Sequence, residues 1–113
     1  MTSTRLNPSQ FTASTGTITK GNAGSINPAS KLWKVGNIVI LSLFVSSAGL
    51  LSSETIVANL QSGFRPGYTI RGAVGYAGSG TGVGSYFAIT SEGAVFAAGA
   101  RDSILINAVF IAG

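Results

Sequence analysis

From Lys31 onward, apolar and polar positions alternate in short runs bounded by turn residues, the period of strands rather than helices. Leu32 to Val35 reads as a strand and Ile38 to Val45 as its return. Gly36-Asn37 between them suits a tight hairpin, because both residue types tolerate positive φ. Ser46 to Ser53 reads as a loop and Thr55 to Leu60 as a strand, with Ser62, Gly63, Pro66 and Gly67 marking a turn. Tyr68 to Tyr76 reads as one strand, Ala77 to Gly82 as a Gly-rich turn, and Val83 to Thr90 as the next strand. Ser91-Glu92-Gly93 is a short hairpin connection into Ala94–Ala98, and Ser103 to Ala112 is the last strand. No segment sustains a 3.6-residue period with caps. The pattern predicts an all-β fold with minimal helix, an antiparallel β-sandwich or small barrel.

Two of these strands are apolar on both faces. Ile38, Ile40 and Phe44 share one parity, while Val39, Leu41, Leu43 and Val45 share the other. In the last strand Ile104, Ile106 and Phe110 oppose Leu105, Val109 and Ile111. An antiparallel layer usually wets its outer face and shows polar residues there. The sequence has no helix to cover a second apolar face, so the pattern predicts a homo-oligomer in which such a face lines the subunit contact.

Residues 1–30 differ from the rest. Seventeen of them are Ser, Thr, Asn or Gly, with Pro8 and Pro28 as breakers. They read as a polar lead-in or linker with weak strand near Phe11–Lys20, followed by a β-barrel domain over 31–113. Met1 to Gln10 lacks the apolar core of a secretory signal. Ile38 to Leu51 is too short and too interrupted by Ser and Gly for a spanning helix, so membrane insertion is not expected.

Composition changes this picture in four ways. Only 9% of the 113 residues are charged, against about 25% in an ordinary soluble domain. Residues 35–53 and 72–91 carry no charge at all, which again points to surface hidden against identical copies. The net charge of +4 comes from dispersed cations, with only Lys31 and Lys34 close together, so the converging basic face of a nucleic-acid binder is missing. Cys and His are both absent, which removes disulfides, thiol chemistry and Ser-His or Cys-His pairs. The three acids, Glu54, Glu92 and Asp102, are scattered, so neither a glycosidase pair nor a calcium cage is expected. The chain reads as a non-enzyme without cofactor or metal.

What remains is chemistry for recognising hydroxyls. Trp33, the single Trp, lies between Lys31 and Lys34 before the hairpin. It suits either a sugar-stacking platform or an apolar anchor in a core or interface. Tyr68, Tyr76 and Tyr86 pose the same choice, and on one strand Tyr68 and Tyr76 face the same side. Arg101 and Asp102 place a donor beside an acceptor in a loop, as a solvated pair or as a hydroxyl contact. Arg65, in Phe64-Arg65-Pro66-Gly67, is expected to satisfy loop carbonyls while Phe64 plugs the core. Gly78, Gly80, Gly82 and Gly84 alternate, as a flexible turn or as a face open to close approach. The saccharide-binding candidates are Trp33, Tyr76, Tyr86, Arg101 and Asp102.

Trp33-Lys34-Val35-Gly36-Asn37 before an apolar strand, Leu60-Gln61-Ser62-Gly63-Phe64-Arg65-Pro66, Ser91-Glu92-Gly93 and the final Asn107-Ala108-Val109-Phe110 occur in that order. Together they resemble the C-terminal head domains of receptor-binding proteins from siphophages of Gram-positive bacteria, including the lower baseplate proteins of lactococcal phages. The resemblance covers about residues 31–113. It implies a jelly-roll-like β-barrel, homotrimeric, at the tip of a phage tail or baseplate in the virion. It also implies reversible binding of host cell-surface polysaccharide without chemistry, and contact with other tail or baseplate proteins. In place of the long stalk that precedes such heads, the chain has its polar lead-in. The family's saccharide contacts are not carried over, and the five candidates rest on their chemistry alone. The competing expectation is a structural trimerisation cap of a fibre or baseplate with no glycan site of its own.

Overall fold

The alternating segments fold as strands, and every strand pairing in the described residues is antiparallel. The structure, a computed structural model, describes residues 13–76 and 85–113, and no helix occurs among them. In chain order the strands are β1 (Ser14–Thr15), β2 (Ile18–Lys20), β3 (Ser25–Ile26), β4 (Lys31–Val35), β5 (Ile38–Ser46), β6 (Leu50–Leu51) and β7 (Thr55–Leu60). They continue with β8 (Ile70–Ala73), β9 (Gly75–Tyr76), β10 (Tyr86–Ile89), β11 (Ala94–Ala98), β12 (Ala100–Arg101) and β13 (Ile104–Ile111).

Two larger sheets share one core. Sheet A runs β1-β4-β5-β13-β9, with β3 continuing the line of β4 along β5, and sheet B runs β2-β7-β11-β10-β8. A small ribbon of β6 and β12 stands apart from both. In sheet B the chain runs from β7 to the far edge at β8, then through β10 to β11, which lies beside β7, a Greek-key order. The chain passes between the sheets at both of their margins. On one side β1 in sheet A leads into β2 in sheet B, and on the other β8 in sheet B leads through buried Val74 into β9 in sheet A.

That second crossing corrects the sequence reading. Tyr68 to Tyr76 is not one strand: Tyr68 lies in the loop before β8, and Tyr76 sits in the other sheet, opposite Ile104. The shared parity of the two tyrosines therefore has no counterpart. The expected loop at Ser46–Ser53 contains β6, and the described part of the lead-in, residues 13–30, supplies strands to both sheets. The alternating glycines Gly78 to Gly84 lie outside the described residues.

Turn chemistry explains the connections. Val35 pairs with Ile38, leaving Gly36-Asn37 as a two-residue loop. Only Gly36 takes positive φ there, at 61°, so the residue without a Cβ alone supplies the left-handed conformation that both were expected to tolerate. The connection after β10 closes through Gly93 N donating to Thr90 O and Thr90 N donating to Ala94 O. Arg65 Nε donates to Leu60 O at 2.9 Å while Phe64 is buried, the division of labour expected of that turn.

The core takes one parity from each long strand. Val39, Leu41, Leu43 and Val45 on β5 and Ile104, Ile106 and Phe110 on β13 meet Val57, Leu60, Phe87, Ile89, Val95 and Ala97 of sheet B in a single buried cluster. Fully burying each larger aliphatic side chain favours folding by about 1.5–3 kcal/mol. No polar or charged residue is buried among the described residues. Where β3 and β4 leave a gap beside β5, the Ser30 side chain fills it: Oγ accepts from Phe44 N at 2.9 Å and donates to Phe44 O at 3.1 Å.

The other parity of sheet A has no covering layer among the described residues. Register places Trp33, Ile40 and Val109 in one cross-strand row, and Val35, Ile38 and Ile111 in the next. Val109 is 68% exposed and Ile111 62%, so this is an open, uncharged apolar strip. A polar row of Lys31, Ser42 and Asn107 bounds it.

Candidate functional site

The five candidates do not form one site. Trp33 stands on the outer face of sheet A, whereas Tyr86, Arg101 and Asp102 lie at the end of the molecule where β11 passes through β12 into β13. Tyr76 holds a backbone position at that same end, opposite Ile104.

Trp33 is 37% exposed on β4, between Thr15 on β1 and Ile40 on β5. It contributes to a cleft of about 460 Å³ between the β1–β2 crossing and the turn that precedes β4. Thr15, Asn27, Ser30 and Lys31 give this cleft polar groups, and Ile18, Ile26, Pro28 and Leu32 give it apolar ones. Its wall is braced locally. Asn27 Oδ1 accepts from Ala29 N at 2.9 Å, Asn27 O accepts from Ser30 N at 2.9 Å, and Pro28 fixes φ between them. The volume falls in the range of small-ligand sites, about 300–1,000 Å³. Of the two flanking lysines only Lys31 shares the parity of Trp33. Lys34 turns away, donating Nζ to Gly63 O at 2.8 Å with the ammonium 5.0 Å from the Phe64 ring centre.

Arg101 and Asp102 are exposed, but the backbone of Asp102 is committed to the fold. Its N donates to Gly49 O at 2.8 Å, its carbonyl accepts from Ala48 N at 3.0 Å, and its φ is +60°. Asp is among the few residue types that accept this conformation readily. Asp102 therefore closes the β6–β12 ribbon, whatever else its carboxylate does.

Tyr86 has specific side-chain partners. Its hydroxyl donates to Glu54 Oε1 at 2.9 Å, and Arg71 Nη1 lies 3.7 Å from the same oxygen. The hydrogen bond to Glu54 raises the Tyr86 pKa above 10.0, with smaller contributions from desolvation and from the carboxylate charge, against the opposing pull of Arg71. Sequence reasoning missed Glu54 and Arg71 because their meeting depends on which strands pair. Glu54 precedes β7 and Arg71 lies on β8, at opposite sides of sheet B. It also missed Thr15, Asn27 and Ser30. Asn27-Pro28 is the one local signal that marks the turn forming the cleft wall.

Neither a family model, nor a curated protein, nor a solved structure matches this chain.

Proposed function

We propose that this chain is a non-enzymatic adhesion module of a phage tail tip or baseplate, a homotrimer that reversibly binds host cell-wall saccharide. The observation that carries the reading is the Trp33 cleft: Trp33, 37% exposed, lines a cleft of about 460 Å³ together with Thr15 and Lys31, whose polar groups are not held by the local turn as those of Asn27 and Ser30 are. An indole face packs on the C–H face of a pyranose while such polar neighbours take its hydroxyls. The Greek-key order of sheet B supports a jelly-roll reading, since jelly rolls are assembled from such units. The uncharged strip of Ile38, Val109 and Ile111 supports self-association, because burying it against identical copies removes apolar surface from water. The resemblance of the motif order to siphophage receptor-binding heads supports the placement at a tail tip in the virion.

The test is a titration of purified wall polysaccharides from Gram-positive hosts, followed by Trp33 fluorescence, with mass measured by light scattering. The expected result is saturable quenching in the wild type, and, by calorimetric titration of the same polysaccharide, loss of binding in Trp33→Ala while the trimer persists. No binding by the wild-type chain overturns the reading.

A second reading, a trimerisation cap without its own glycan site, is favoured by the row that Trp33 shares with Ile40 and Val109. Under it, Trp33→Ala dissociates the oligomer and no polysaccharide quenches the indole.

A further inference from the structure

We propose that Glu54, Arg71 and Tyr86 form a contact site for neighbouring hydroxyls of a neutral saccharide on the outer face of sheet B, separate from the Trp33 cleft. This rests on the saccharide-binding reading above and names a second place where it operates.

The placement follows from register. Phe87 opposite Gly72 and Ile89 opposite Val95 face the core, so the intervening residues face outward. On that outer face, Tyr86 stands between Ala73 and Ala98, and Ala88 stands between Arg71 and Phe96. Small side chains thus separate the long ones. Tyr86 and Arg71 reach across the sheet to one oxygen of Glu54, at 2.9 Å and 3.7 Å. Ala88 and Ala98 are only 3% and 6% exposed although they lie on the outer face. Sheet B is therefore shielded by its own side chains, whereas among the described residues nothing covers the outer face of sheet A. If copies associate through sheet A, the sheet B face remains turned to solvent.

The cluster offers what two adjacent hydroxyls require. Glu54 Oε2 accepts no hydrogen bond among the described residues and is open to a hydroxyl proton. Arg71, with its side chain 64% exposed, retains N–H groups for the oxygen of a neighbouring hydroxyl. The Tyr86 oxygen, already donating, still has lone pairs to accept. Ala73 and half-buried Phe96 supply apolar surface for sugar C–H groups. One carboxylate and one guanidinium cancel locally, so an anion meets Glu54 and a cation meets Arg71. A neutral polyol meets neither penalty.

The experiment is ¹H–¹⁵N NMR on the full chain, titrated with glucose, galactose, rhamnose and N-acetylglucosamine, with glycerol phosphate as the anionic comparison. The Arg71 Nε–H and Trp33 indole N–H signals report the two places separately. The expected result is a saturable shift at Arg71 with at least one neutral sugar and none with glycerol phosphate. Glu54→Gln, which keeps the side-chain shape, weakens that binding about tenfold, the cost of a charge-assisted hydrogen bond. Unchanged affinity in Glu54→Gln, or a response to glycerol phosphate alone, overturns the inference. Shifts at Trp33 but not at Arg71 overturn it and leave the preceding reading standing. Shifts at neither overturn both.

Discussion

Phe87 packs its ring against the bare backbone of Gly72, its directly opposite partner on β8: a methyl group at Gly72 would stand 2.6 Å from Cε1 and 2.7 Å from Cζ of that ring. The ring is almost fully buried and cannot step aside. Gly72→Ala is therefore expected to destabilise by about 1–3 kcal/mol, the usual cost of overpacking, despite the better strand propensity of Ala. Urea denaturation of Gly72→Ala, Phe87→Leu and the double variant measures it. The double variant should be more stable than the sum of the two single losses implies, and strict additivity would refute the contact.

Ser30 and Phe44 make a second such prediction. The Ser30 hydroxyl accepts from Phe44 N, where no strand residue reaches it, and joins Asn27 N in donating to Phe44 O. Ser30→Ala leaves Phe44 N–H without that acceptor and should cost about 1–3 kcal/mol. A fall in Tm of several degrees checks it, and Ser30→Thr, which keeps the hydroxyl, should recover part of the loss.

The Tyr86 phenol gives a prediction in pH. Its native pKa is raised above 10.0, chiefly by the hydrogen bond to Glu54, so the folded state holds that proton more tightly than the unfolded chain. The resulting stabilisation is fully present below pH 10 and is lost as pH rises through the native pKa. Absorbance at 295 nm follows phenolate formation. Tyr86→Phe should remove the late-titrating component, and Glu54→Ala should move it to lower pH; an unmoved titration in Glu54→Ala would dissolve the cluster.

Self-association through sheet A predicts a clean separation of stability from assembly. Val109 is 68% exposed, so Val109→Lys should change the stability of the isolated subunit by no more than about 0.5 kcal/mol. Placed in an apolar contact, the same ammonium is desolvated without a partner and should abolish association. Light scattering decides it: a trimer reduced to monomer is expected, and a monomeric wild type would remove the contact altogether.

Much of the fold was legible because its signals are local. The β5 and β13 parities were visible as alternating runs, and the structure buries one set of each, Val39 to Val45 and Ile104 to Phe110. The Gly36-Asn37 and Ser91–Gly93 turns were legible from residue type for the same reason. The sheet switch at Val74 was not, because Tyr68 to Tyr76 contains no Pro or run of glycines to announce a change of partner. The candidate sites were legible only in part. Trp33 and Tyr86 attract notice as aromatics on short strands, but the cleft beside one and the ion pair beside the other are assembled from segments far apart in sequence.

The crossings at the two margins have a consequence for how the molecule comes apart. Sheet A takes β4 and β5 from before the main strands of sheet B and β13 from after them, while β1–β2 and β8–β9 tie the layers together. Neither layer is a contiguous stretch of chain, so neither can melt while its counterpart survives. Denaturation should accordingly be all-or-none, with Trp33 emission and amide exchange at β10 and β11 reporting a single transition midpoint.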